Sequence, residues 1–332
     1  MFRLARNAST AQPWHAPPRH LRSSGLPACL PGTDTDTGTD PAARRPIEDW
    51  APPYGEHMTT PTTPSASPTS AAPHIEVDGR RATTADDLLV PTLYGGYAHF
   101  TAMQVRDGRV RGFHLHLARL DAATREVFGA GLDGELVRER VRHALDGAGV
   151  RDGAVRVYVF RAPETEAATL MVTVRPPVTM PPAPQALMSV PYERPFPHIK
   201  HLGGFAQTHY GRIARRAGFD DALLTGPGGV VAEGAIANIA FYDGTSVVWP
   251  DAPSLHGITM ALLETRLPES GGLPSVRGPV TLDGLAGYRA AFVTNSQGVA
   301  PVRRIDDVEL AVDEELMKRV VSVYEATPWD RV

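Results

Sequence analysis

Cysteine is almost absent: Cys29 is the only one in 332 residues, so no intramolecular disulfide can form and nothing marks a stapled extracellular domain. Lysine is nearly absent too. Of the 33 lysines and arginines only Lys200 and Lys318 are lysine, and arginine carries all other permanent positive charge. Excess charge of either sign is lacking, with a net of −4, so there is no electrostatic ground for nucleic acid or an anionic membrane as partner. A small-molecule substrate is the default. No apolar run approaches the ~20 residues that a membrane-spanning helix needs, and a cytoplasmic protein without membrane attachment is expected. What is present, 42% hydrophobic and 21% charged residues, is the composition of a globular chain, and its length suggests two domains.

The scarcity of lysine bears on chemistry. Lysine and arginine solubilise equally well, but only the lysine amine loses its proton readily enough to attack a carbonyl and form a Schiff base. Lys318 lies in the charged run Asp313-Glu314-Glu315-Leu316-Met317-Lys318-Arg319 and reads as an exposed helix position. Lys200 has no such setting.

Residues 1–73 are rich in Pro, Ser, Thr, Ala and Gly, include Thr33-Asp34-Thr35-Asp36-Thr37-Gly38, and are expected to be a disordered leader. Pro13, Pro17 and Pro18 interrupt any transit-peptide helix, and Met58 is an alternative true start. A small α+β domain is expected over 74–175: hairpin turns at Asp78-Gly79 and Asp107-Gly108, helices near 114–128 and 133–145, and strands near 154–161 and 169–174. The proline-rich stretch 176–186 reads as an interdomain linker. The larger second domain, 187–332, mixes helices near 205–217, from 257 and near 312–326 with strands near 221–225 and 236–242. Regular βαβ alternation is missing, so both halves are α+β.

Three segments carry chemistry. Leu255-His256-Gly257-Ile258-Thr259-Met260 has the form of a helix N-terminus able to hold an anion, with a small residue for close approach and a hydroxyl in the first turn. Phe292-Val293-Thr294-Asn295-Ser296-Gln297-Gly298 is an apolar strand breaking into short polar side chains. Glu233, among Val231, Ala232, Gly234 and Ala235, needs a cationic or protonated partner, and the plainest one is a buried arginine.

Taken together and in order, Lys200, Gly218-Phe219-Asp220-Asp221-Ala222-Leu223-Leu224, Val230-Val231-Ala232-Glu233, Ala237-Asn238-Ile239, Leu255 to Thr259 and Val299-Ala300-Pro301-Val302 resemble the class IV aminotransferases. That family includes branched-chain and D-amino acid aminotransferases and aminodeoxychorismate lyase. Asp107-Gly108-Arg109-Val110 and His116-Leu117-Ala118-Arg119-Leu120 match its first-domain signature, so the resemblance spans about 74–326. It implies a two-domain fold-type IV enzyme, with a C-terminal pseudobarrel, that uses pyridoxal 5'-phosphate and forms a two-fold homodimer. It further implies that Lys200 forms the Schiff base and shuttles the proton, and that Glu233 pairs with the pyridine nitrogen. Arg119, Ile258, Thr259, Asn295 and Ser296 would hold the phosphate. No metal site is expected.

Two departures from the family pattern concern the cofactor's tuning and the recognition of the substrate's carboxylate. Gly204 and Phe205 replace an Asn-Tyr pair whose hydroxyl touches the cofactor, with Tyr210 as a nearby substitute, and Ala162-Pro163-Glu164-Thr165-Glu166 lacks an arginine-bearing loop. Tyr94, Tyr97, Arg156, Tyr158, Arg161 and Phe205 are therefore the candidates for substrate contact, and hydrophobic or aromatic amino acids the expected substrates. Transamination is the first expectation. A lyase releasing pyruvate is the alternative, because Ile199-Lys200-His201-Leu202 and the gap-free run from Arg109 to Leu120 lean that way. A non-catalytic relative that binds the cofactor is the third, against which the retained Lys200 and Glu233 stand.

Overall fold

The computed structural model describes residues 72–84, 87, 95–161 and 167–332. Met58 and all but the last two residues of the expected leader lie outside these, as do Tyr94 and the segment 162–166. The first half runs β1 (His74–Val77), β2 (Arg80–Arg81), β3 (His99–Val105), β4 (Arg109–Arg111), α1 (Phe113–Phe128), α2 (Gly134–Ala148), β5 (Gly153–Phe160) and β6 (Thr169–Arg175). All these strands except β4 form one antiparallel sheet in the order β2-β1-β6-β5-β3.

Its turns follow from Asp-Gly pairs. Asp78 and Gly79 have φ of 47° and 77°, Asp107 and Gly108 of 49° and 66°, the left-handed pair whose twist suits a two-residue hairpin. Alternate residues of β5 and β6, Val155, Val157, Val159, Leu170, Val172 and Val174, meet Val137 and Val141 of α2 in one core. Each such side chain contributes about 1.5–3 kcal/mol on burial. Asp133 caps α2 by accepting from Glu135 N, and Gly149, at φ 66°, ends it, three residues beyond the expected stop.

The chain then crosses as an extended segment, tied down where Val178 N donates to Gln104 Oε1 at 2.9 Å and Met180 N to Gln297 O at 2.9 Å. Strand β7 (Gln185–Pro191) begins inside the stretch expected as linker, because beyond Pro184 the backbone again has N–H donors for a ladder. There follow α3 (Phe205–Arg216), β8 (Asp221–Thr225), β9 (Val231–Gly234), β10 (Asn238–Tyr242), β11 (Val247–Pro250), α4 (Ile258–Ser270), β12 (Ser275–Gly278), β13 (Ala290–Asn295), β14 (Gly298–Ile305), β15 (Val308–Glu309), α5 (Glu314–Glu325) and β16 (Trp329–Arg331).

The large sheet has the order β12-β11-β10-β13-β14-β7-β8-β9, with β15 on β14. Strand β9 sits at its far end, yet Gly234 N donates to Ala237 O at 2.7 Å and leads directly into β10, so the sheet curls back on itself. That turn also shortens the strand expected from 236, which starts at Asn238. Helices α4 and α5 cover the outside, where Leu263, Leu267 and Val320 pack on Trp249 and Phe292. The end of the chain returns to the first half, as β16 pairs with β4. No helix of the described residues is long and apolar enough to cross a membrane.

Candidate active site

Lys200 is placed by strand β3. Phe100 N donates to Lys200 O and Leu202 N to Ala98 O, both at 2.9 Å, so the lysine segment lies against the first-half sheet. The side chain enters a cavity of about 910 Å³ between the two halves, with Nζ 4.9 Å from the centre of the Phe100 ring. Burial, assisted by the Arg119 and Arg194 charges and opposed by Glu233, brings the amine down from 10.5 to about 7. A substantial share of it is therefore the free base at neutral pH, which a nucleophilic amine requires.

Glu233, on β9, lines the same cavity and is buried. Its Oε1 lies 3.5 Å from Arg194 Nη1 and its Oε2 accepts from Leu255 N at 3.2 Å. Burial raises its pKa, and Arg194 pulls it back. Arg194, itself buried, also donates to Ile199 O, so one guanidinium ties the carboxylate to the lysine segment. The arginine partner foreseen for Glu233 is this residue. In the sequence it sits in Tyr192-Glu193-Arg194-Pro195, a polar turn with no pattern that would single it out.

The N-terminus of α4 opens into the cavity. Gly257 precedes the helix with no side-chain cap, and an added Cβ there would collide with Asn238 Oδ1, whose amide donates to Leu255 O at 2.6 Å. The glycine thus admits Asn238, which with Glu233 holds the loop before the helix. Thr259 Oγ1 donates to Asn295 O at 2.7 Å, and Asn295 Oδ1 accepts from Gln297 N at 2.8 Å. Thr259 and Asn295 therefore join the helix to the turn after β13. The N–H groups of the first helical turn have no intrahelical acceptor and suit an anion. Ile258, Thr259, Asn295 and Ser296 all line the cavity.

Arg119 of α1 reaches the cavity from the other side. Its Nη2 donates to Thr101 Oγ1 at 2.5 Å, and no carboxylate pairs with it among the described residues. Burial and the Arg194 charge lower it to about 10. A buried guanidinium without an acid is costly unless an anion completes it. Among the described residues, buried polar atoms without a hydrogen-bond partner include Arg119 Nε, Arg194 Nε and Thr294 Oγ1, and all three residues line the cavity. This donor set fits a phosphorylated cofactor that carries a carbonyl: an unpaired arginine and open helix N–H groups for the phosphate, and a free amine for the carbonyl. Pyridoxal 5'-phosphate has both groups.

Two buried histidines make the arginine's surroundings acid-sensitive. Burial brings His99 from 6.5 to about 4, and His116 well below 6.5. For a base whose folded pKa is depressed, the unfolded chain binds more protons between the two values, so stability falls as pH drops through that window. The melting temperature is expected to fall between about pH 6.5 and pH 4. His99→Gln, which cannot titrate, should flatten that slope, and an unchanged slope would locate the acid sensitivity elsewhere.

The candidates for substrate contact divide. Arg156 of β5 lines the cavity, with its guanidinium 5.8 Å from the centre of the Phe100 ring and Nη1 3.4 Å from Tyr158 Oη. Tyr158 stacks on Phe100 at 5.5 Å and is not part of the lining. Arg161 lies over the Phe128 ring, and Tyr97, 68% exposed, donates to Val127 O at 3.4 Å. Phe205 is 81% exposed and stacks on His209, outside the lining. Tyr210 packs on Tyr192 rather than entering the cavity.

A family model described as Amino-transferase class IV matches residues 98–305. Solved structures share the fold. One is a hypothetical aminotransferase from Mycobacterium tuberculosis in its PLP-bound form, at 20% identity and TM-score 0.66, covering 76% of this chain and 98% of that one. A branched-chain aminotransferase from the archaeon Thermoproteus uzoniensis with norvaline has 18% identity and TM-score 0.67, covering 76% and 93%. A protein assigned as 4-amino-4-deoxychorismate lyase from Legionella pneumophila has 18% identity and TM-score 0.66, covering 70% and 92%. No curated protein matches the chain.

Proposed function

The chain belongs to the class IV aminotransferase family, and from that premise we propose that it is a pyridoxal-phosphate-dependent aminotransferase that moves an amino group between an amino acid and a keto acid. The observation that carries the reading is an amine lowered to about 7, Lys200, in one cavity with a carboxylate, Glu233, and an arginine without an acid partner, Arg119. Pyridoxal phosphate, when bound, supplies an aldehyde for amino groups and a ring that draws electrons away from the substrate's Cα.

Lys200 Nζ would hold the cofactor through its aldehyde and, as a free amine, would carry the proton that leaves the substrate's Cα. Glu233 holds a proton at the ring nitrogen. Arg119, the first-turn N–H groups of α4 and the turn at Asn295 and Ser296 bind the phosphate and fix the ring's position. Arg156, which lines the cavity beside Phe100, is the proposed partner of the substrate's carboxylate. Apolar walls, among them Phe100 and Leu255, keep water from the reacting carbon and favour hydrophobic or aromatic side chains. The working unit in this reading is a two-fold homodimer in the cytoplasm.

Single turnover tests the reaction type. A transaminase given an amino acid and no keto acid leaves the cofactor as pyridoxamine phosphate, so a panel of hydrophobic and aromatic amino acids should convert the aldehyde absorbance for at least one member. A lyase ends each turnover with the aldehyde restored. Should no amino acid convert it, while aminodeoxychorismate yields pyruvate without an amino acceptor, the lyase reading suggested by Ile199-Lys200-His201-Leu202 replaces this one.

A further inference from the structure

We propose that Thr101 is a positioning residue: its hydroxyl holds the guanidinium of Arg119 open toward the cavity without neutralising it, and so makes the site select a phosphorylated cofactor. The proposal rests on the assignment of Arg119 to the phosphate given above.

Strand β3 and helix α1 are joined by a reciprocal pair of Thr–His hydrogen bonds. Thr101 Oγ1 lies 2.7 Å from His116 Nδ1, and Thr124 Oγ1 lies 3.1 Å from His99 Nε2. All four side chains are buried. The proton of Thr124 can be assigned. Thr124 Oγ1 gives its proton to Leu120 O at 2.7 Å and so accepts from His99 Nε2. Thr101 Oγ1 accepts from Arg119 Nη2 and makes its other bond with His116 Nδ1, giving or taking that proton according to the histidine tautomer. Burial keeps His116 neutral, so it adds no second cation beside Arg119.

Arg119 therefore has one arm of its fork fixed through Thr101, while Nε has no hydrogen-bond partner. A carboxylate in place of Thr101 would fix the arm equally well, but would cancel the charge that a phosphate needs. A hydroxyl orients and leaves the charge whole. The same strand sets the position of the reactive amine, through Phe100 N to Lys200 O and Leu202 N to Ala98 O. One strand thus carries both the segment that holds the reactive amine and the hydroxyl that holds the phosphate grip.

The test uses the full chain freed of cofactor, titrated with pyridoxal phosphate and, separately, with pyridoxal, which lacks the phosphate. Thr101→Val removes the hydroxyl at nearly constant shape and leaves His116 Nδ1 without that partner. It should weaken pyridoxal phosphate binding about tenfold, the scale of one lost orienting hydrogen bond to a charged group, and leave pyridoxal binding within about twofold. Thr101→Ser restores the hydroxyl and should restore the preference. Thr101→Ala is read in the same way if the valine variant does not fold. Equal weakening toward both compounds would make Thr101 a merely structural residue, and unchanged binding of both would show that it does not hold the fork. Either result overturns the proposal. Arg119→Met separates the two levels: if it leaves pyridoxal phosphate affinity intact, the phosphate assignment itself fails. If it weakens that affinity while Thr101→Val does not, only the positioning role falls.

Discussion

Lys200→Arg is expected to abolish covalent attachment of pyridoxal phosphate and to lower turnover by about 10⁴-fold or more, since both the nucleophile and the proton carrier are lost. The guanidinium cannot supply a free base, because it does not deprotonate in a protein. It would also add a permanent charge beside Arg119 and Arg194, whose charges already depress the lysine. The chain has one other lysine, and its setting is the opposite. Lys318 is exposed on α5 and pairs with Glu315 at 3.0 Å, which raises its pKa and keeps it protonated. Borohydride treatment of the loaded wild-type enzyme should therefore leave the cofactor on the peptide containing Lys200, and on none in the variant. Cofactor fixed to the variant at Lys318 would remove Lys200 from the mechanism.

The local parts of this site were readable in the sequence and the long-range ones were not. The helix that opens at Gly257 could be read because a small residue, a hydroxyl and an apolar run follow one another in a few positions, and helix α1 because its apolar spacing is regular. Strand β9 was not, since Val231 to Gly234 is four residues long and ends in a turn that only the curl of the sheet requires. Arg194 and Thr101 lie 39 and 18 residues from the groups they contact, and no spacing rule connects them. The substrate candidates show the limit most clearly. Alternation puts Arg156 and Tyr158 on one face of β5, but Phe100 is the cross-strand partner of Tyr158 and occupies its ring, leaving only Arg156 on the cavity wall. Phe205 followed the family's tyrosine by position, while its place at the first residue of α3 turns it to solvent.

Glu233→Gln decides between two roles for the buried carboxylate, as a partner of Arg194 alone or as the group that keeps the ring nitrogen protonated. Neither protein contact saturates it: the distances are 3.5 Å to Arg194 and 3.2 Å to Leu255 N, and a carboxylate offers about four lone-pair sites. Glutamine keeps one oxygen, enough for one of the two donors, so the fold should lose some stability but persist, and the phosphate grip of Arg119 and α4 should retain the cofactor. What glutamine removes is the negative charge. Turnover is expected to fall about 10²–10³-fold, the scale for losing one preorganised electrostatic group in a water-poor site. Glu233→Leu should cost more, about 3–5 kcal/mol of stability, because it removes the last acceptor as well as the charge and leaves the buried Arg194 guanidinium and Leu255 N facing an apolar side chain. Melting temperature and turnover together therefore separate the roles. If glutamine preserves turnover and leucine lowers only the melting temperature, Glu233 serves the ion pair alone. If glutamine binds cofactor normally and turns over slowly, the charge itself acts on the ring, with Arg194 holding it in place.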